Sequence, residues 1–289
     1  MATEAPLIVI LGPTASGKTA VSIELAKRIS GEIICADSRT VYRGMDIGTA
    51  KPTKDEMDGV PHHMIDLVNP DQRFTLWNFQ QIANKKIKEI RNRNSIPIMV
   101  GGSGLYIDSI LFDYKLGQGY ELDADLGKYD KKSINDLQTM LKKLHIELPS
   151  NALNRRHLVG ALERGSVNKS RLDTPIENAI IVGITTEKNI IQQRIIERSI
   201  NMLNSGLIEE VEKLVNIYGK NCEPIRKNLY GVIEEYLDNK KNNREELIQK
   251  MLIVDRRLVK KQLTWWRRNR FISWMNVDEV VPYIIDKIS

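Results

Sequence analysis

Cysteine and histidine are both scarce in this chain of 289 residues, which has two of the first and four of the second. Cys35 and Cys222 lie far apart and neither falls at metal-ligand spacing, which suits a reducing cytosol better than a disulfide framework. No run of eighteen apolar residues occurs, and no membrane span is expected. The N-terminus, Met1-Ala2-Thr3-Glu4-Ala5-Pro6, lacks a basic region ahead of a long apolar one, so no secretory signal is read and a cytoplasmic location is expected. Internal repeats and low-complexity tracts are absent. Charge is not extreme either: +6 at neutral pH with a pI near 9.1 is compatible with a nucleic-acid partner without requiring one. The length allows one large domain, or a core carrying an insertion.

Against that background one stretch stands out: Gly12-Pro13-Thr14-Ala15-Ser16-Gly17-Lys18-Thr19. It fits G-x-x-x-x-G-K-[ST] and lies between an apolar run, Leu7 to Leu11, and a helical pattern of Val21, Ile23, Leu25, Ala26 and Ile29. A buried strand, a glycine loop and a helix N-terminus together aim backbone N–H groups and a positive dipole end at an anion. Lys18 is placed to reach an outer phosphate, and the Thr19 hydroxyl to ligate a divalent cation such as Mg2+. The loop specifies a polyphosphate without saying which one.

Gly31-Glu32-Ile33-Ile34-Cys35-Ala36-Asp37-Ser38 reads as a second strand ending in an acid. Parallel sheets bind ligands beyond the carboxyl ends of their strands, so Asp37 is expected in the phosphate crevice. It could serve as a magnesium-holding acid, as a base on a nucleophile beside the phosphates, or as a helix cap. The following segment, Arg39-Thr40-Val41-Tyr42-Arg43-Gly44 through Lys51-Pro52, is a structured loop whose basic and hydroxyl groups suit phosphate or nucleic acid. His62 and His63 are adjacent and point to opposite faces of an extended segment, which favours a loop or core role over metal binding. An amphipathic helix spans Phe74 to Asn94, and a strand at Ile96–Val100 runs into Gly101-Gly102-Ser103-Gly104-Leu105-Tyr106, where Ser103 can hydrogen-bond a ligand. A polar helical stretch follows, then a buried strand at Ile180–Ile184 and a long helix ending at Gly206. From Asp255 the chain turns basic, with Arg256, Arg257, Lys260, Lys261, Arg267, Arg268 and Arg270 interleaved with Trp265 and Trp266. Helical spacing puts several of these cations on one face with Leu258, Leu263 and Trp265 inward. An RNA backbone suits such a face, although basic faces are also often merely solvated.

The phosphate loop, Asp37-Ser38, Tyr42 through Pro52, and Val60-Pro61-His62-His63-Met64-Ile65-Asp66 together resemble the tRNA dimethylallyltransferases, the isopentenylpyrophosphate transferases. Gly-Gly-Ser-Gly-Leu-Tyr at 101–106 is similar to that family's Gly-Gly-Thr-Gly-Leu-Tyr, and Gln262-Leu263-Thr264-Trp265-Trp266-Arg267-Arg268 to its Gln-Leu-Thr-Trp-Phe-Arg-Arg. Arg155-Arg156-His157-Leu158-Val159-Gly160-Ala161-Leu162-Glu163 resembles a tRNA-contact segment but has His157 and Gly160 where arginines are usual. Pro224 to Gly231 matches a region with Arg-x-x-Gly-Tyr-Arg, keeping Arg226 and Tyr230 while Leu229 and Gly231 depart. The likeness covers nearly the whole chain and is thinnest from about 113 to 165.

The resemblance implies dimethylallyl diphosphate as donor and the exocyclic N6 amine of the adenosine 3′ to the anticodon of tRNA as acceptor. Residues Gly12 to Thr19 and Arg226 would then hold the diphosphate, with Thr19 on Mg2+. Asp37, Lys18 and Ser103 would carry the chemistry. Asp37, Ser38, Arg39, Thr40, Ser103, Arg155, Arg156, His157, Lys260, Lys261, Arg267 and Arg268 would meet the tRNA. The expected fold is α/β, a P-loop NTPase-like parallel sheet flanked by helices. Residues 1–115 and 166–289 form the core, with a helical insertion at 116–165 and the protein acting as a monomer. Two other classes compete: a P-loop kinase using ATP on a small metabolite, and a nucleotide-gated RNA binder without chemistry. A kinase needs an arginine-rich lid, and 113–150 are nearly free of arginine; a binder needs no acid beside the phosphate loop.

Overall fold

The computed structural model describes residues 4–116, 129, 131–164, 171–238 and 243–289. Leu7–Leu11 form β1, whose five apolar side chains are all fully buried. Alternation of side chains splits them between two cores. Leu7, Val9 and Leu11 join Ile34, Phe79, Met99 and Trp266 on one face, while Ile8 and Ile10 join Leu25, Ile33, Ile98, Val182 and Ile284 on the other. Burial on both faces explains why the strand reads as an unbroken apolar run, each side chain contributing about 1.5–3 kcal/mol.

Helix α1 (Lys18–Ile29) leads to β2 (Gly31–Cys35), then to the short helix α2 (Lys54–Met57) and a two-residue strand β3 (His62–His63). Helix α3 (Leu76–Asn92) is capped by Thr75, whose hydroxyl accepts from the Asn78 N–H. Strand β4 (Ile96–Gly101) and helix α4 (Gly104–Leu111) follow. Helices α5 (Ile134–Lys143) and α6 (Arg155–Arg164) then pack on each other around Leu137, Leu141, Leu158, Ala161 and Leu162. Strand β5 (Ala179–Thr185) returns the chain to the sheet. Helices α7 (Lys188–Asn204), α8 (Leu207–Tyr218), α9 (Asn228–Asp238) and α10 (Arg244–Trp266) come next, then strand β6 (Ser273–Asn276) and helix α11 (Val277–Ile288).

The six strands are all parallel in the order β3-β2-β4-β1-β5-β6, with helices on both faces, a P-loop NTPase-like arrangement. Their carboxyl ends therefore share one edge, and the loops after β1, β2 and β4 meet there. A third core of Met202, Leu207, Val211, Leu229, Tyr230 and Met251 joins α7 to α10 and takes in Met45 from the 39–52 loop. Among the described residues no helix is long and apolar enough to cross a membrane.

The strand expected over 31–38 stops at Cys35. The physical reason is local: the Asp37 carboxylate Oδ1 accepts the Arg39 N–H at 2.8 Å, turning the backbone before the strand can continue. His62 and His63 do point apart. His63 Nε2 meets Glu32 Oε2 at 2.7 Å, whereas His62 lines the cleft on the other side. At the far end of α10 the helix ends at Trp266, so Arg267 and Arg268 sit in the turn beyond it. Trp266 rather than Trp265 is the fully buried indole.

Candidate active site

The loop between β1 and α1 owes its shape to backbone conformation. Ala15 (φ 64°) and Gly17 (φ 92°) are both left-handed, and Gly17 caps α1. Alternating handedness of this kind turns successive N–H groups inward into an anion-binding nest. Ser16 is fully buried, and its hydroxyl has no hydrogen-bond partner among the described residues. An anion seated in the nest would give that hydroxyl a partner.

Three further side chains brace the loop from outside. Gln262 of α10 accepts the Thr14 N–H at 2.9 Å through Oε1. Arg198 of α7 donates Nη1 to the Thr14 hydroxyl and Nη2 to Asp255 Oδ2, the latter at 2.7 Å. Asp255 is 1% exposed, and the guanidinium is what makes so buried a carboxylate tolerable. One helical turn earlier, Arg194 donates to the Ala15 carbonyl at 3.2 Å. Lys18 folds back to donate to the Pro13 carbonyl at 2.7 Å. Burial lowers its pKa to about 8, against the opposing pull of Asp37; Arg198 adds to the lowering.

Across the cleft, the acid loop is fastened to the end of β4. Ser103 Oγ accepts the Ser38 N–H at 3.0 Å, and the Ser103 N–H donates to the Ala36 carbonyl at 3.1 Å. Only glycine fits at 101, where a Cβ would lie 2.1 Å from that same carbonyl. The Arg39 side chain turns away to donate to the carbonyls of Pro224 and Lys227. The loop that follows is held by Glu210 of α8. Its carboxylate accepts the N–H groups of Asp46, Ile47 and Gly48 at 3.0, 2.8 and 3.2 Å and the Tyr230 hydroxyl at 2.6 Å. Burial, then Glu210, pushes the Tyr230 pKa above its ordinary range.

These loops enclose a cleft of about 430 Å³, lined by Thr14 through Thr19, Asp37, Arg39, Thr40, Gly101, Gly102, Arg198, Tyr230, Asp255 and Gln262. The phosphate loop and Asp37 thus face one cavity. Cys35 lines it too, but burial pushes its thiol up to about 12, so it is no nucleophile. Thr19 is exposed on the first turn of α1. Among the described residues no group of three or more His, Cys, Asp or Glu is placed to hold a metal ion. A cation here would draw most of its oxygens from phosphate and water, the habit of Mg2+ at phosphate sites.

Other expected site residues are more scattered. Arg226 is exposed and lies outside the residues lining the cleft. The Arg155 guanidinium, at the start of α6, bonds the carbonyls of Tyr129 and Lys132, which lie ahead of α5. His157 is exposed, and the Arg156 side chain lies outside the described residues. Lys260, Lys261, Arg267 and Arg268 are all exposed. Sequence reasoning missed Arg198, Asp255, Gln262 and Glu210. Two advance signals existed: Gln262 opens the family-like segment at 262–268, and spacing puts Arg194 and Arg198 at i, i+4 on one helix and Asp255 and Gln262 at i, i+7 on another.

The fold and the cleft define a P-loop NTPase-like protein whose glycine loop faces a carboxylate across one cavity. A family model described as IPP transferase matches residues 40–269. The tRNA dimethylallyltransferase of Bacillus anthracis is 37% identical over 300 residues, covering 97% of this chain and 95% of that one. Among solved structures, the tRNA isopentenylpyrophosphate transferase of Bacillus halodurans superposes with a TM-score of 0.74 at 35% identity, over 99% of this chain and 97% of its own. The corresponding Staphylococcus epidermidis enzyme gives 0.72 at 32% identity, over 98% of each chain. This chain belongs to the IPP transferase family, the tRNA dimethylallyltransferases.

Proposed function

We propose that the protein transfers the dimethylallyl group of dimethylallyl diphosphate to the N6 amine of the adenosine 3′ to the anticodon in tRNA. The observation that carries the reading is the single cleft shared by the phosphate loop and Asp37, on a chain that belongs to this family. A kinase reading finds no support among the relatives.

The N–H groups of Ala15 and of Gly17 to Thr19 and the Lys18 ammonium would receive the diphosphate, with Lys18 exchanging the Pro13 carbonyl for phosphate oxygen. Arg226, exposed just before α9, would reach the diphosphate only by moving inward. Where Mg2+ is bound, Thr19 Oγ1 would hold it together with diphosphate oxygens, and it supplies positive charge opposite the leaving group. The acceptor adenine must leave its stack to enter the cleft. Its amine is a weak nucleophile because the nitrogen lone pair is delocalised into the ring. As the allylic C–O bond breaks and the N6–C bond forms, the amine proton passes to Asp37, and diphosphate departs with the bonding electrons. Ser103 accepts the Ser38 N–H, which fixes the acid loop, and keeps its own hydroxyl proton to donate. Thr40, which lines the cleft, and Ser38 beside Asp37 would meet the tRNA. Arg155, Arg156 and His157 on the insertion at 116–165, with Lys260, Lys261, Arg267 and Arg268, would meet the tRNA backbone. The protein would act as a monomer, and a tRNA substrate suits a cytoplasmic location.

Mass spectrometry of tRNA adenosines after incubation with dimethylallyl diphosphate, or with ATP, tests the reaction: added dimethylallyl mass with the first donor only is expected. Asp37→Asn tests the base. It should slow single-turnover transfer by about a hundredfold, as for a lost general base, without changing the magnesium dependence. Rescue of the variant by excess magnesium would instead make Asp37 a metal ligand.

A further inference from the structure

We propose that Gln262 is a positioning residue that fixes the separation between the phosphate loop and the acid loop, and with it the distance from donor carbon to acceptor amine. This rests on the reaction proposed above. Pairing between β1 and β4 ends at Leu11 and Gly101, so past the sheet edge the two loops need another tie. Gln262 supplies it. Its Oε1 accepts the Thr14 N–H at 2.9 Å, and its Nε2 donates to the Gly102 carbonyl at 3.1 Å.

An amide is the uncharged side chain that offers an acceptor and a donor on one planar head, which is what bridging an N–H to a carbonyl requires. Gln262 is 8% exposed, so leaving either end unmatched would be costly. The fit is close: a Cβ at Gly102 would lie 2.2 Å from Nε2. From Gly102 the chain passes to Ser103, whose hydroxyl accepts the Ser38 N–H at 3.0 Å, one residue from Asp37. A continuous path thus runs from Thr14 through Gln262, Gly102 and Ser103 to the acid. Transfer between two bound substrates is sensitive to such registration, a displacement of about 1 Å costing on the order of a hundredfold.

Three variants of the full chain test this: Gln262→Ala, Gln262→Glu and Gly102→Ala. Gln262→Ala should lower the single-turnover rate at saturating substrates by about a hundredfold and weaken binding of inorganic pyrophosphate. Its affinity for tRNA alone should stay within about twofold, and its melting temperature within a few degrees. Gln262→Glu keeps the acceptor for Thr14 but faces a carboxylate to the Gly102 carbonyl. It should retain pyrophosphate affinity and still lose the rate. In Gly102→Ala the new methyl displaces the flexible amide head. The rate should fall in the same way, and adding Gln262→Ala should cost nothing more, because both changes break one tie. A Gln262→Ala rate within about threefold of wild type would overturn the proposal. So would losses of tRNA affinity and melting temperature that track the rate, or additive losses in the double variant. A wild-type protein that leaves tRNA unmodified would instead overturn the reaction itself.

Discussion

Lys18 links the cleft's electrostatics to a measurable proton. Burial lowers its pKa to about 8, with Arg198 adding to the effect and Asp37 opposing it. A docked diphosphate brings several negative charges against the ammonium and returns its pKa toward the ordinary value near 10.5. Binding must then draw a proton from solvent whenever Lys18 began neutral. A group titrating at about 8 implies uptake of about 0.1 proton at pH 7, about 0.5 at pH 8 and about 0.9 at pH 9. The sign for affinity follows: diphosphate binding weakens as pH rises past about 8, approaching tenfold per unit. The sign for stability is opposite. The folded-state pKa lies below the unfolded one, so charging Lys18 in the ligand-free protein is unfavourable below about 8, and that penalty is relieved as pH rises from about 8 to 10.5. Calorimetric titration with dimethylallyl diphosphate in buffers of different ionisation enthalpy, at pH 7, 8 and 9, reads the uptake directly. Lys18→Met, run alongside, removes the contribution of the ligand's own titration. Equal uptake by the two proteins at pH 8 and 9 would refute the reasoning.

The other tests concern the supports of the cleft. Glu210→Ala leaves three backbone N–H groups and the Tyr230 hydroxyl without their acceptor. The partly buried three of these bonds, at about 1 kcal/mol each, predict a loss of about 3 kcal/mol and a melting temperature lower by about 6–12 °C; unchanged melting would mean that water replaces the carboxylate. Neutralising Lys260, Lys261, Arg267 and Arg268 together should weaken binding to every tRNA and flatten its salt dependence, by about 0.7–0.9 in log–log slope for each phosphate that is no longer neutralised. A slope that does not move would show this face to be solvated only.

How far the sequence shows the fold depends on how much of each element's environment is written within it. Strands β1, β2, β4 and β5 are buried on both faces and stand out as apolar runs. The edge strands do not. Strand β3 has two residues, and β6 is Ser-Trp-Met-Asn, alternately half-buried and exposed. Helix α11 hides for a different reason: Pro282 lies inside it and reads as a breaker, although Asn276 and Glu279 form a capping box and Val280, Val281 and Ile284 are buried. The loop that lines one side of the cleft was legible because a phosphate loop is a local device whose eight residues carry their own geometry. Asp37 followed from the rule that parallel strands deliver ligand groups at their carboxyl ends.

The partners that hold those groups were not legible, and α10 shows why. The hydrogen bond from Thr14 to Gln262 joins residues 248 positions apart, a separation over which no periodicity carries information. A polar side chain in a basic helix reads as surface until the fold brings it a partner. Asp255 and Gln262 lie among Arg256, Arg257, Lys260 and Lys261, so their setting points to water, yet both are buried. Seven residues are two helical turns, so the two fall on one stripe with Met251, Leu258 and Trp266. Met251 on that stripe packs into the third core, Asp255, Leu258 and Gln262 line the cleft and Trp266 enters the core beside the sheet, while the basic residues occupy the faces between. A sequence that places isolated acids and amides at seven-residue spacing on a basic helix therefore marks the side turned inward, because solvent gives such residues no reason to keep the period of the core.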